Sequence, residues 1–186
     1  MPITRRQLLA VAAALATVPV GLGGVGWSWW GQAADVPLRH LSASEVAFFD
    51  ALAEAIFPPG GTPALSGREA HVCRYIDAVL AGMAETQRDF FRLGLHALDA
   101  LAWEQAGAAL PDLAADPARG PEAVAEVLRG WLVSTDGNLR GLAQSLHIFV
   151  GMAFLAHPDV SPVIADQFGC GFGLSTGSTF VGHDAW

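Results

Sequence analysis

Between Leu41 and Pro158 the apolar residues recur three and four positions apart, the rhythm of a helix face, and no stretch carries the strong two-residue alternation of a strand. That rhythm predicts an all-α chain folded as a single bundle of about five helices. Ser42 with Glu45 three residues on is a capping-box pattern. The helix it opens places Val46, Phe49, Ala53 and Ile56 on one face and stops at Pro58-Pro59. Residues 57–67, rich in proline and glycine, read as a loop. A second helix is predicted over roughly 68–82, with Val72, Tyr75, Ile76, Val79 and Leu80 apolar. The third runs over roughly 85–104. It carries Phe91, Leu95, Leu98 and Ala102 on one face and Arg88, Arg92 and Asp99 on another. There Glu85 with Arg88 and Asp89 with Arg92 form pairs three positions apart. Residues 105–120, rich in Ala, Gly, Pro and Asp, read as a second loop. A fourth helix covers about 121–133, with Pro121 at its favoured first position. The fifth covers about 137–156 and ends at His157-Pro158; its polar stripe is Arg140, Gln144 and His147. Because Ile148 to Ala156 is apolar all round, this helix is predicted at the centre of the bundle.

Composition narrows the chemistry. The chain is 52% hydrophobic and 15% charged, too apolar for disorder over most of its length. All ten basic residues are arginine, so Schiff-base chemistry and a P-loop lysine are excluded. A formal charge of -8 argues against nucleic acid as a partner. The six histidines form no HExxH or other close ligand pair, and Cys73 and Cys170 form no CxxC. No catalytic, cofactor-binding or metal-binding residue is therefore expected in this chain. His147 reads as a core histidine with one satisfied hydrogen bond, and Asp50 and Glu54 as a solvated acidic face.

Residues 1–33 read as a targeting segment. Thr4-Arg5-Arg6-Gln7-Leu8-Leu9 resembles the twin-arginine signal, an apolar run follows to Gly26, and Gly31, Ala33 and Ala34 offer small residues to a signal peptidase. The expectation is export to the periplasm in the folded state. A second reading stands beside it. Leu8 to Trp30 is long enough for a membrane helix, since about 20 residues suffice, and Trp27, Trp29 and Trp30 resemble an interfacial belt. In that case residues 8–30 anchor the protein in the inner membrane. Gly21, Gly23 and Gly26 fit GxGxxG, but no strand precedes them and no βαβ unit follows, so the match is discarded.

The chain thus divides into a signal or anchor at 1–33, a helical domain at 34–168 and an irregular, glycine-rich tail at 169–186. The glycines of the tail oppose a stable helix. Its Phe172, Leu174, Phe180, Val181 and Trp186 are costly to leave in water, at about 1.5–3 kcal/mol for each large side chain that could be buried. Either the tail docks on a partner, with Phe172, Leu174, Phe180 and Trp186 as the interface, or it folds back over its own bundle.

The ordered series from Leu41 to Leu101 resembles the gluconate 2-dehydrogenase subunit 3 family. It comprises Leu41-Ser42-Ala43-Ser44-Glu45, the helix end Ala53-Glu54-Ala55-Ile56-Phe57-Pro58, Tyr75-Ile76-Asp77, and Phe90-Phe91-Arg92-Leu93-Gly94-Leu95 through Leu98-Asp99. Ala153-Phe154-Leu155-Ala156-His157-Pro158 is similar to the family's late helix end. Residues 104–135 and the tail after Gly173 depart from the family's pattern. The resemblance implies a small, non-catalytic accessory subunit exported by the twin-arginine route. Its partner would be a large FAD-dependent dehydrogenase of the glucose–methanol–choline class, acting on a sugar or alcohol, with electrons passing to a cytochrome c subunit. FAD would belong to that partner. Pro58, Tyr75, Asp77, His157 and Pro158 would be structural motif residues, with Asp77 capping or bridging a neighbouring loop. Cys73 shares a helix face with Ile76 and Leu80 and is expected to be a buried, inert thiol. Cys170, in the glycine-rich tail of an exported chain, is expected to cross-link to the catalytic partner. The alternative is an internal Cys73–Cys170 disulfide, contributing about 3–5 kcal/mol by closing a long loop.

Overall fold

The computed structural model describes residues 38–167. Among them the fold is all-α, with seven helices and no strand: α1 (Ala43–Ile56), α2 (Val72–Ala81), α3 (Glu85–Ala106), α4 (Leu110–Ala115), α5 (Gly120–Leu132), α6 (Gly137–Leu155) and α7 (Ser161–Gln167).

The start of α1 is set by its own first residues. Ser42 caps the helix: its Oγ accepts from the Glu45 backbone N–H at 3.4 Å, and the Glu45 carboxylate accepts from the Ser42 N–H at 2.7 Å. The helix ends at Phe57, before the proline pair. It is buried nearly all round. Phe48, Phe49, Ala51, Leu52 and Ala53 are fully enclosed, so the single face read from the sequence widens to most of the circumference. The cause is tertiary: α2, α4, α5 and α6 all pack against α1.

The central element is therefore α1, not α6 as the sequence suggested. One side of α6 (Leu139, Ala143, Leu146, Val150 and Ala153) faces the core. The opposite side, with Ile148, Met152 and Leu155, stays in solvent. Side chains apolar on every face cannot all be covered when neighbouring helices pack on only one side. His147 lies on the exposed side as well and is not a core histidine.

The boundaries moved where local signals were weak. Residues 68–71 form turns, so α2 starts at Val72, four residues later than predicted. His71 precedes it in the left-handed region at φ 46°. The predicted loop 105–120 contains α4, whose Leu110 and Leu113 are buried beneath α1 and α5. A Pro near its start favours the first turn, and the Asp99 carboxylate accepts from the Leu110 N–H at 3.0 Å. The additional helix α7 brings Val160 and Ile164 onto the core.

The long segment between α1 and α2 is pinned against α1. The Gly67 N–H donates to the Phe57 carbonyl at 2.8 Å, and a Cβ at Gly67 would collide with the Ala53 carbonyl. Only glycine permits so close an approach. No helix among the described residues is long and apolar enough to cross a membrane.

Candidate functional site

Among the described residues Glu45, Asp77 and Asp99 are buried and Asp50 and Glu54 half-buried, and each of these carboxylates has partners within the fold. The most enclosed is Glu45. Arg92 of α3 grips it with two hydrogen bonds, Nε to Oε1 at 2.6 Å and Nη2 to Oε2 at 3.1 Å. Ser42 Oγ donates to Oε2 at 2.9 Å, and His96 Nε2 lies 3.6 Å from Oε1. Burial alone would raise this carboxyl. The contacts of His96, Arg92 and the Ser42 N–H, with the Arg92 charge, outweigh burial and hold it at about 2. The chemistry is that of a clamp: a carboxylate ionised at neutral pH ties the first turn of α1 to the middle of α3. Arg92 therefore leaves the exposed pairing with Asp89 that its spacing suggested and crosses to another helix.

Asp77, on α2, is 7% exposed and accepts three backbone N–H groups: Arg39 at 2.9 Å, His40 at 2.7 Å and Leu41 at 2.9 Å. It fixes the segment that leads into α1. Neighbouring Tyr75 is half-buried against the core. Asp99, read from the sequence as part of a polar face, is buried. Burial pushes its carboxyl up, with the Leu110 N–H opposing.

Asp50 and Glu54 do not form a solvated face; both are half-buried. Asp50 is pushed up by burial, against the lowering effect of the Cys73 thiol, which donates to its Oδ1 at 3.6 Å and to the Val46 carbonyl at 3.6 Å. Glu54 accepts from the Arg68 N–H at 3.2 Å. Cys73 is a free, buried thiol pushed well above its ordinary range, first by burial and then by Asp50. A thiol held protonated in this way is a poor nucleophile.

Two of the sequence motifs meet in space. Phe57, just before Pro58, stacks on Phe154 with ring centroids 3.9 Å apart. His157 then closes α6: its backbone N–H donates to the Phe154 carbonyl, its carbonyl accepts from Val160 and Ser161, and its Nδ1 accepts from the Asp159 N–H. Burial lowers the His157 imidazole, with Asp159 opposing.

No group of three or more His, Cys, Asp or Glu suited to a metal ion occurs among the described residues. A polar cleft of about 190 Å³ beside α3 is lined by Arg39, His40, Glu85, Arg88, Asp89 and Arg92, with charges of both signs. The sequence also holds one G-x-S-x-G string, Gly173-Leu174-Ser175-Thr176-Gly177. A nucleophile elbow needs a strand before that string and a helix after it. It lies outside the described residues, as do Arg5, Arg6, residues 8–30, Cys170, Phe172, Leu174, Phe180 and Trp186.

The surface shows what the interior does not use. Ile148 is 60% exposed, Met152 47% and Leu155 46%, one stripe along α6, while Phe90 on α3 is 78% exposed. The two helices meet where Leu142 lies over Gly94 and where Phe91 sits edge-on to Phe149 at 5.7 Å. Sequence periodicity missed this face by assigning the α6 stripe to the core; the run of apolar residues was the signal, and only the packing shows which side of it is open.

These features define a class: a small all-α domain that braces itself with buried carboxylates and keeps large apolar side chains in solvent. The family model for gluconate 2-dehydrogenase subunit 3 matches residues 43–131, just under half of the chain, and over that span the chain is similar to this family. No curated protein and no solved structure matches.

Proposed function

We propose that this chain is the non-catalytic small subunit of an FAD-dependent sugar or alcohol dehydrogenase of the glucose–methanol–choline class. In this reading it escorts, matures and stabilises the large subunit during export to the periplasm. The family match over residues 43–131 carries the reading. The commitment of Glu45, Asp77, Asp99 and Asp50 to internal hydrogen bonds supports it, because these groups act as braces. The large subunit holds the FAD, this chain binds no cofactor, and electrons pass on to a cytochrome c subunit. Arg5 and Arg6 direct export of the folded assembly by the twin-arginine route. The tail, through Phe172, Leu174, Phe180 and Trp186, contributes to docking, and Cys170 forms the covalent tether.

Co-expression with a large flavoprotein encoded beside it is the test. The expected outcome is a yellow complex recovered from the periplasm, abolished by Arg5→Lys/Arg6→Lys. Turnover of a sugar or alcohol by the small chain alone would reject the reading. Deleting Gly169–Trp186 is expected to lower recovery of the large subunit more than that of this one. On a non-reducing gel the tether appears as a heavier band that Cys170→Ser removes and Cys73→Ser leaves in place.

The length of Leu8–Trp30 and its three tryptophans favour a second reading, a membrane-anchoring subunit of the same complex. A mature N-terminus near Ala34 excludes it; an intact N-terminus in the membrane fraction supports it.

A further inference from the structure

We infer that the exposed stripe of α6, with the adjoining edge of α3, is the surface that receives the large dehydrogenase subunit. We also infer that the partner meets it with an apolar patch rimmed by carboxylates. This deepens the reading above and rests on it.

The argument starts from position on the helix. Ile148, Met152 and Leu155 fall at i, i+4 and i+7, a single line on the side of α6 opposite its core residues Leu146, Val150 and Ala153. Scattered exposed apolar residues are ordinary on a protein surface; a continuous line of long ones on one helix marks an interaction surface, and Phe90 of α3 lies one turn from Gly94, where Leu142 of α6 packs.

Charge then selects the occupant. From Gly137 to Pro158 the chain contains no carboxylate, although it holds 18 Asp and Glu in all. The charged or titratable side chains of α6 are Arg140 and His147, both exposed. A chain of net charge -8 thus presents on this helix an apolar line bordered by cationic and neutral groups. That local charge is complementary to a separate partner with an acidic rim, whose carboxylates are drawn to Arg140.

The experiment uses the full-length chain co-expressed with the large subunit, comparing wild type with Ile148→Glu/Met152→Glu and with Arg140→Glu. Val133→Glu, at a still more exposed apolar residue just past the end of α5, is the control; Val133 is 79% exposed. Since all these positions face solvent, each variant is expected to keep the wild-type melting temperature. The double variant is expected to recover roughly tenfold less large subunit, or worse. Arg140→Glu is expected to slow association most at low salt. Val133→Glu is expected to behave as wild type.

Wild-type recovery by the double variant overturns the inference while leaving the subunit assignment intact. Failure of the wild-type chain itself to recover a flavoprotein overturns the assignment. A wild-type chain alone with twice its monomer mass, returned to monomer by Ile148→Glu/Met152→Glu, gives the face to a second copy and also overturns the inference.

Discussion

Glu45 ties two helices together through one ionised carboxylate, and its worth depends on pH. Its folded value, about 2, lies below the ordinary 4.5 of an unfolded glutamate. Folding therefore gains stability from it above 4.5 and loses that gain as the pH falls from 4.5 toward 2. Glu45→Gln is expected to cost about 2–4 kcal/mol at pH 7, by leaving Arg92 without its counter-charge. The difference from wild type should shrink in denaturant titrations at pH 3.5. Asp50 and Asp99, raised by burial, run in the opposite direction, so the variant-to-wild-type difference is the informative quantity. Gly67 makes a second point at this scale. Gly67→Ala is expected to cost about 3 kcal/mol or more, read as a lowered denaturation midpoint, because the added methyl meets the backbone of α1. The capping role of Glu45 was legible because Ser42 is three residues away; the grip of Arg92 was not, because 47 positions separate the pair. Gly67 carried no signal beyond its place in a loop.

Helices whose ends are marked by local chemistry were legible almost to the residue. Pro58 stops α1, Asp136 caps α6 by accepting from the Asn138 and Leu139 N–H groups, and Pro121 sits in the first turn of α5. The short helix α4 escaped because six residues give less than two turns of periodicity, and its burial depends on α1 and α5 closing over it. Which side of α6 faces inward was illegible for a related reason: an all-round apolar run has no preferred direction until neighbours choose one. The Phe57–Phe154 stack joins the end of α1 to the end of α6. Phe154→Ala is expected to cost about 3–5 kcal/mol in chemical denaturation. Phe154→Leu should cost far less, since it keeps most of the buried volume.

Among the described residues the domain is organised around α1, whose neighbours α2, α4, α5 and α6 span residues 72–155. Residues 43–131, the span of the family match, are expected not to fold alone, because α6 covers both α1 and α2. A chain ending at Leu132 is expected to lose the cooperative thermal transition that the full chain shows by circular dichroism. Restoring residues 133–167 should return it.

The all-round burial of α1 also sets a timetable. The ribosome releases α1 before every helix that packs on it, so Phe48, Phe49 and Leu52 are covered only in stages as α2, α4, α5 and finally α6 are made. During that interval the nascent chain offers an adhesive helix to whatever is nearby. Synthesis of this protein is therefore expected to have a vulnerable phase that ends once Phe154 is in place against Phe57.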